Sequence, residues 1–146
     1  MANVKFSQFA ADGNVQQGDI IVGLRAGTNA QFTLPGGAGL FWSAISGSSQ
    51  TAIINTGLIP QGGTLTTITL PATAPIGSVV AIQGQGSGGW VIQAPGTQLI
   101  RIGASPTSAG GTVASANQYD AITLICIVAN TEWAMYGPVT SGFTIN

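Results

Sequence analysis

Apolar positions in this chain fall into short runs separated by polar turns, and no stretch carries apolar residues at helical spacing with recognisable caps. Asp19-Ile20-Ile21-Val22-Gly23-Leu24-Arg25 predicts one strand and residues 29–34 a second, with Ala26-Gly27-Thr28-Asn29 supplying turn chemistry between them. Pro35-Gly36-Gly37-Ala38-Gly39 then forms a flexible junction, followed by Leu40-Phe41-Trp42 and a serine-rich loop. Beyond it, strands are predicted at 51–55, 65–70, 78–83, 90–93, 98–102, 121–129 and 133–136, each rich in Ile, Val, Thr or aromatic residues and bounded by Gly, Pro, Asn or Ser. Short strands at this spacing predict an all-β fold, an antiparallel sandwich or barrel-like domain over 40–146, preceded by an extended N-terminal arm and hairpin over 1–36.

A faint repeat runs through the second region. Val79-Val80-Ala81-Ile82, a turn and Trp90-Val91-Ile92 parallel Ile122-Thr123-Leu124-Ile125, a turn and Trp133-Ala134-Met135. Two such hairpins would form opposite sheets of a sandwich, with Gly84-Gln85-Gly86-Ser87-Gly88-Gly89 as the loop of the first.

Charge changes the picture more than any motif. Only Lys5, Arg25, Arg101, Asp12, Asp19, Asp120 and Glu132 are charged, about 5% of the residues against roughly a quarter in an average domain. No charged side chain occurs between Ala26 and Ile100. The surface must therefore consist largely of Gly, Ser, Thr, Asn and Gln, with part of it covered by partner chains. Disorder does not fit 45% apolar residues at low charge. The longest apolar run, 121–129, is far short of the roughly 20 residues of a spanning helix, and the alternation and aromatic girdles of a membrane barrel are missing. Met1-Ala2-Asn3-Val4-Lys5 leads into no apolar signal core. Three scattered basic residues cannot neutralise a phosphate backbone or dock a membrane surface, so neither nucleic acid nor membrane is an expected partner.

The same scarcity argues against catalysis. There is no histidine, the commonest general base and zinc ligand. Cys126 is single and lies in the most apolar strand, where a small buried hydrophobe is expected. The acids allow two pairs, Asp12 with Asp19 and Asp120 with Glu132, but their places in turns and at strand ends suit local hydrogen bonding better than glycoside hydrolysis. Asp12-Gly13-Asn14 lacks the further acids of a calcium loop, and neither glycine cluster opens a helix or precedes Lys-Ser or Lys-Thr as a phosphate cradle does. No enzyme activity, metal or cofactor is expected. The Thr64-Leu65-Thr66-Thr67-Ile68-Thr69 alternation is a single strand, too little for an ice-binding or amyloid-like ladder. Trp42, Trp90 and Trp133, with Tyr119 and Tyr136, are the candidates for stacking on a sugar; an aromatic that opens a strand more often belongs to the core or to a subunit interface.

Lys5-Phe6-Ser7-Gln8-Phe9, followed by Gly18-Asp19-Ile20-Ile21-Val22-Gly23-Leu24-Arg25 with Gly27, Asn29 and Phe32, resembles an N-terminal segment of bacteriophage tail-fibre and related virion surface proteins. Leu70-Pro71-Ala72-Thr73-Ala74-Pro75-Ile76-Gly77-Ser78, with Gly88-Gly89-Trp90, Asn117-Gln118-Tyr119-Asp120 and Val128-Ala129-Asn130-Thr131-Glu132-Trp133, resembles a β-rich domain of the same proteins. The resemblance implies a homotrimer on the virion surface, made in the host cytoplasm and joined to a capsid or tail protein of the same particle. It places attachment in the N-terminal segment, at Lys5, Phe6, Phe9, Asp19 and Arg25. Four of the charged residues (Lys5, Asp12, Asp19, Arg25) fall in that segment, consistent with a role in attachment or register. Capsid decoration (cement) and a short tail appendage are the two forms expected, and a host-glycan-binding module using Trp42, Trp90 or Trp133 is the alternative.

Overall fold

A computed structural model describes the backbone of 20–25 and 28–33, and residues 40–137 and 142–146 with their side chains. The chain divides into two units, Met1–Gly39 and Leu40–Asn146, and the division falls at the glycine-rich junction. In the first unit β1 (Ile20–Arg25) and β2 (Thr28–Thr33) form an antiparallel ladder running from Ile20 opposite Thr33 to Arg25 opposite Thr28. This is the hairpin expected there.

The second unit is all-β, and among the described residues no helix occurs. Its first six strands are β3 (Phe41–Ile45), β4 (Ser49–Thr51), β5 (Thr56–Pro60), β6 (Thr66–Thr69), β7 (Val79–Gln83) and β8 (Trp90–Gln93). They alternate between two sheets. Strands β3, β5 and β7 lie side by side and parallel in one, and β4, β6 and β8 lie side by side and parallel in the other. Parallel neighbours need a crossover between them, and here the crossover is a strand of the opposite sheet. The segment thus winds as three rungs of a short, two-sided coil. Thr56 pairs with Val80 and Thr66 with Trp90, so the second and third rungs are offset by one step of 24 residues in both sheets.

Six further strands close the coil: β9 (Leu99–Ile102), β10 (Ser105–Pro106), β11 (Thr112–Ala114), β12 (Ala121–Val128), β13 (Glu132–Met135) and β14 (Thr144–Ile145). The antiparallel hairpin β12–β13 adds to β7, β9 lies parallel to β13, and β10 completes a seven-stranded sheet. On the other side β11 runs antiparallel to β8 and carries β14, giving five strands. The sandwich-like class holds, with mixed rather than purely antiparallel pairing inside it. Of the two Trp-opened hairpins expected, only β12–β13 is one; β7 and β8 sit in opposite sheets, and 84–89 is an inter-sheet crossing. The strand expected at 51–55 is instead largely a turn closed by Asn55, whose φ is 62°, and the strand follows at β5.

One core fills the space between the sheets. Leu58, Val80, Ile82, Ile122, Leu124, Cys126, Ile100 and Trp133 enter it from the seven-stranded side and Ile68, Trp90, Ile92 and Val113 from the five-stranded side. The residues alternate along each strand, as a two-layer packing requires. Both indoles that reach the core keep a partner for their N–H: Trp90 Nε1 donates to the Asp120 carbonyl at 2.9 Å and Trp133 Nε1 to Gln98 Oε1 at 2.9 Å. Buried Gln98 in turn donates through Nε2 to the carbonyls of Pro71 and Ala72, each at 3.1 Å.

The crossings stack on one another through backbone. Gln85 N and Gly86 N both donate to the Pro60 carbonyl, at 3.0 and 2.9 Å, and Gly88 N donates to the Gly62 carbonyl at 3.2 Å. A Cβ at residue 86 would enter the backbone of Gln61 and Gly62, and one at residue 88 the backbone of Thr64. Gly86→Ala should therefore destabilise the fold by about 1–3 kcal/mol in urea unfolding, the usual cost of overpacking. Gly47→Ala, where added carbon meets only open space and ordinary contact, should stay within about 0.5 kcal/mol of the parent.

Candidate functional site

Of the residues expected to attach the protein to a particle, Lys5, Phe6, Phe9 and Asp19 lie outside the described residues, and Arg25 is described only in its backbone, as the end of β1. The three tryptophans are described in full. Trp90 and Trp133 have 0% exposure and belong to the core, so neither can stack on a ligand. Strand alternation explains this: Trp90, the first residue of β8, and Trp133, the second of β13, occupy positions whose side chains point between the sheets, and the neighbouring positions along both strands are more open. The ring of Phe143 packs against Trp90 at 5.6 Å between centroids.

Trp42 behaves differently. It lies on edge strand β3 directly opposite Gly57 of β5, and half of it (50%) is exposed. Any Cβ at residue 57 would overlap the Trp42 indole, so the glycine makes the recess in which the ring lies flat against the sheet. Phe41 beside it is 41% exposed. Strands β3 and β4 end their sheets, and among the described residues no strand pairs with their outer edges. The first rung is thus open: two unpaired strand edges with two exposed aromatic rings. Gly57 carried no functional signal in the sequence, where a glycine within an apolar run reads as a weakened strand.

The outward-facing positions of the seven-stranded sheet are small or uncharged across its centre, including Gly57, Ala81, Thr123 and Ala134. Charge appears only toward the far side. There Arg101 Nε donates to Glu132 Oε2 at 3.0 Å and Nη2 to Oε1 at 2.9 Å, a two-pronged pair between β9 and β13. Those hydrogen bonds, with the charge behind them, hold the Glu132 carboxyl below its ordinary range and raise the guanidinium.

The other described groups with chemical potential are committed to structure. Asp120 Oδ2 accepts the N–H groups of Ala116 and Asn117, each at 2.8 Å. Asp120 precedes the start of β12 and Glu132 lies opposite Val128 at its other end, so the two acids sit at opposite ends of the hairpin. Cys126 is buried with Sγ near the carbonyls of Ala74 and Val128, at 3.4 and 3.3 Å. A recess of about 220 Å³ between Ala72, Pro95, Gly96, Thr97, Gln98 and Asn130 contains neither acid nor thiol. Its amides are used internally, Asn130 Oδ1 accepting Ala74 N at 2.8 Å. Among the described residues no three His, Cys, Asp or Glu side chains gather as a metal site would need. No protein-family model and no curated protein matches the chain.

The ion pair has a pH signature of known sign. Glu132 is depressed in the folded state, so its stabilisation is present above the unfolded carboxylate value of about 4.3 and is lost as pH falls through the lower folded value. The melting temperature of Glu132→Gln should lie below the parent at pH 7 and converge on it below about pH 4. The pH 7 gap should also narrow in about 1 M salt, because the pair is partly exposed.

Proposed function

We propose that this chain is a bacteriophage virion structural protein, a homotrimer that decorates and cements a capsid or forms a short tail appendage. The observation that carries the proposal is the open first rung: unpaired edges on β3 and β4 with Phe41 and Trp42 exposed, on a unit whose charged residues are only Arg101, Asp120 and Glu132. A free monomer would hold such edges in water, where they invite pairing with other chains. Copies in a closed ring would bury them. The N-terminal segment, a separate unit with its own hairpin and more than half of the chain's charge, serves as the attachment element to a capsid or tail protein. The protein acts mechanically on the virion surface after synthesis in the host cytoplasm. The two-sheet core and its committed polar groups supply rigidity for that role.

Light scattering on the purified full-length protein should give about three times the 14.6 kDa chain mass; a monomer at micromolar concentration would refute the assembly. Added to particles lacking it, the labelled protein should occupy regular surface positions, and removal of the first 25 residues should abolish this. Particles without the protein that withstand heat and osmotic shock as well as complete ones would eliminate the cement form and leave the appendage.

A further inference from the structure

The turn that leads into β12 holds an aromatic ring where the backbone is least suited to one. Tyr119 has φ 72°, in the left-handed region, and its side chain is 64% exposed, so packing does not account for its presence. A bulky residue there is an outlier that persists only where its surroundings fix it. The surroundings do so here. Asp120 Oδ2 grips the N–H groups of Ala116 and Asn117, the Asp120 carbonyl receives Trp90 Nε1 at 2.9 Å and Gly84 N at 3.0 Å, and Gln83 Nε2 donates to the Tyr119 carbonyl at 3.1 Å.

Exposed amides surround the same corner. Gln118 Nε2 donates to the Gln85 carbonyl at 2.8 Å, and Gln61 Nε2 donates to Gln85 Oε1 at 2.7 Å, linking the connections β5–β6, β7–β8 and β11–β12. These bonds position the amides and, among the described residues, leave part of each without a partner: both N–H groups of Gln85 Nε2, and the Oε1 atoms of Gln61 and Gln118. Among the described residues the corner therefore presents one flat ring and several fixed neutral donors and acceptors, with no cation beside it and with the carboxylate of Asp120 engaged by backbone. A ligand matched to it has an apolar face for the ring, several hydroxyls for the amides and no charge. That is the chemistry of a neutral pyranose.

We propose that this corner binds a neutral hexose unit of an exposed polysaccharide, with Tyr119 stacking on the sugar face and Gln61, Gln85 and Gln118 bonding its hydroxyls. The assignment rests on the site alone and holds whether or not the chain resides on a virion. It differs from stacking on Trp90 and Trp133, which the core excludes.

The full-length protein would be tested on an array of neutral oligosaccharides containing glucose, galactose, mannose and N-acetylhexosamines, beside sialylated and sulfated ones, with hits measured by calorimetry. At least one neutral oligosaccharide should bind. Tyr119→Gly should weaken that binding at least tenfold while the melting temperature stays equal or rises, because glycine accepts the left-handed φ without strain. Tyr119→Phe keeps the ring and should bind as the parent does, and Gln61→Ala should lose several-fold. A purely structural Tyr119 would give a lower melting temperature with unchanged binding on substitution by glycine. That result, binding of charged glycans only, or no binding of any neutral oligosaccharide at millimolar concentration would each overturn the proposal.

Discussion

Each strand from β3 to β8 crosses to the opposite sheet, so no hairpin ladder joins it to the next strand in sequence. Its backbone must pair with the rung before or after it. This constraint explains why the crossings lie against one another at backbone distance, why Gly86 and Gly88 stand where a methyl group would enter the preceding turn, and why Pro60 accepts two N–H groups from the next crossing. It also explains the long closing segment. A coil of parallel rungs ends in open edges, and the β12–β13 hairpin with β11 covers β7 and β8 by antiparallel pairing. The opposite end has no such cover among the described residues.

Neutral amides occupy the places that ion pairs hold in other domains. Gln98 is buried, receives the Trp133 indole N–H and bonds two carbonyls, so one uncharged side chain ties β13 to the loop after β6 without the desolvation cost of a buried charge. Asn55 and Asn130 receive the N–H groups of Val79 and Ala74 across turns. These bonds do not depend on pH and are weakly screened by salt. Among the described residues the one ion pair, Arg101–Glu132, lies on the outer face of a sheet where it is partly exposed and contributes little.

Fold class was legible because strand signals are local: alternation of apolar and polar residues in 66–69, 90–93 and 121–126 survives intact in β6, β8 and β12. Sheet membership was not. Whether the strand after a turn returns beside its predecessor or crosses to the other layer depends on contacts with residues a full rung away, and the apolar pattern of β7 and β8 is the same in both cases. The 24-residue offset did leave a trace, with Leu58, Gln61, Gly62, Ile68, Pro71 and Thr73 matched by Ile82, Gln85, Gly86, Ile92, Pro95 and Thr97. The longer repeat between the two Trp-opened segments hid it. Strand β5 was hidden because Gly57 and Pro60 break its pattern, one making room for Trp42 and the other ending the strand beyond its pairing with β7, where a missing N–H costs little. Among the aromatic candidates, burial separated Trp90 and Trp133 from Trp42, and side-chain direction at a strand start cannot be assigned until register is known.

The offset of 24 residues also makes the coil extensible. A segment of that length inserted between β6 and β7, carrying an apolar residue at each inward position and glycines at the crossing, would add one strand to each sheet and leave the closing hairpin, the core cross-section and the open rung unchanged. The domain would lengthen by about 4.8 Å per insertion. Its reach is thus a countable variable, adjustable by duplication in whole units without redesign of either end.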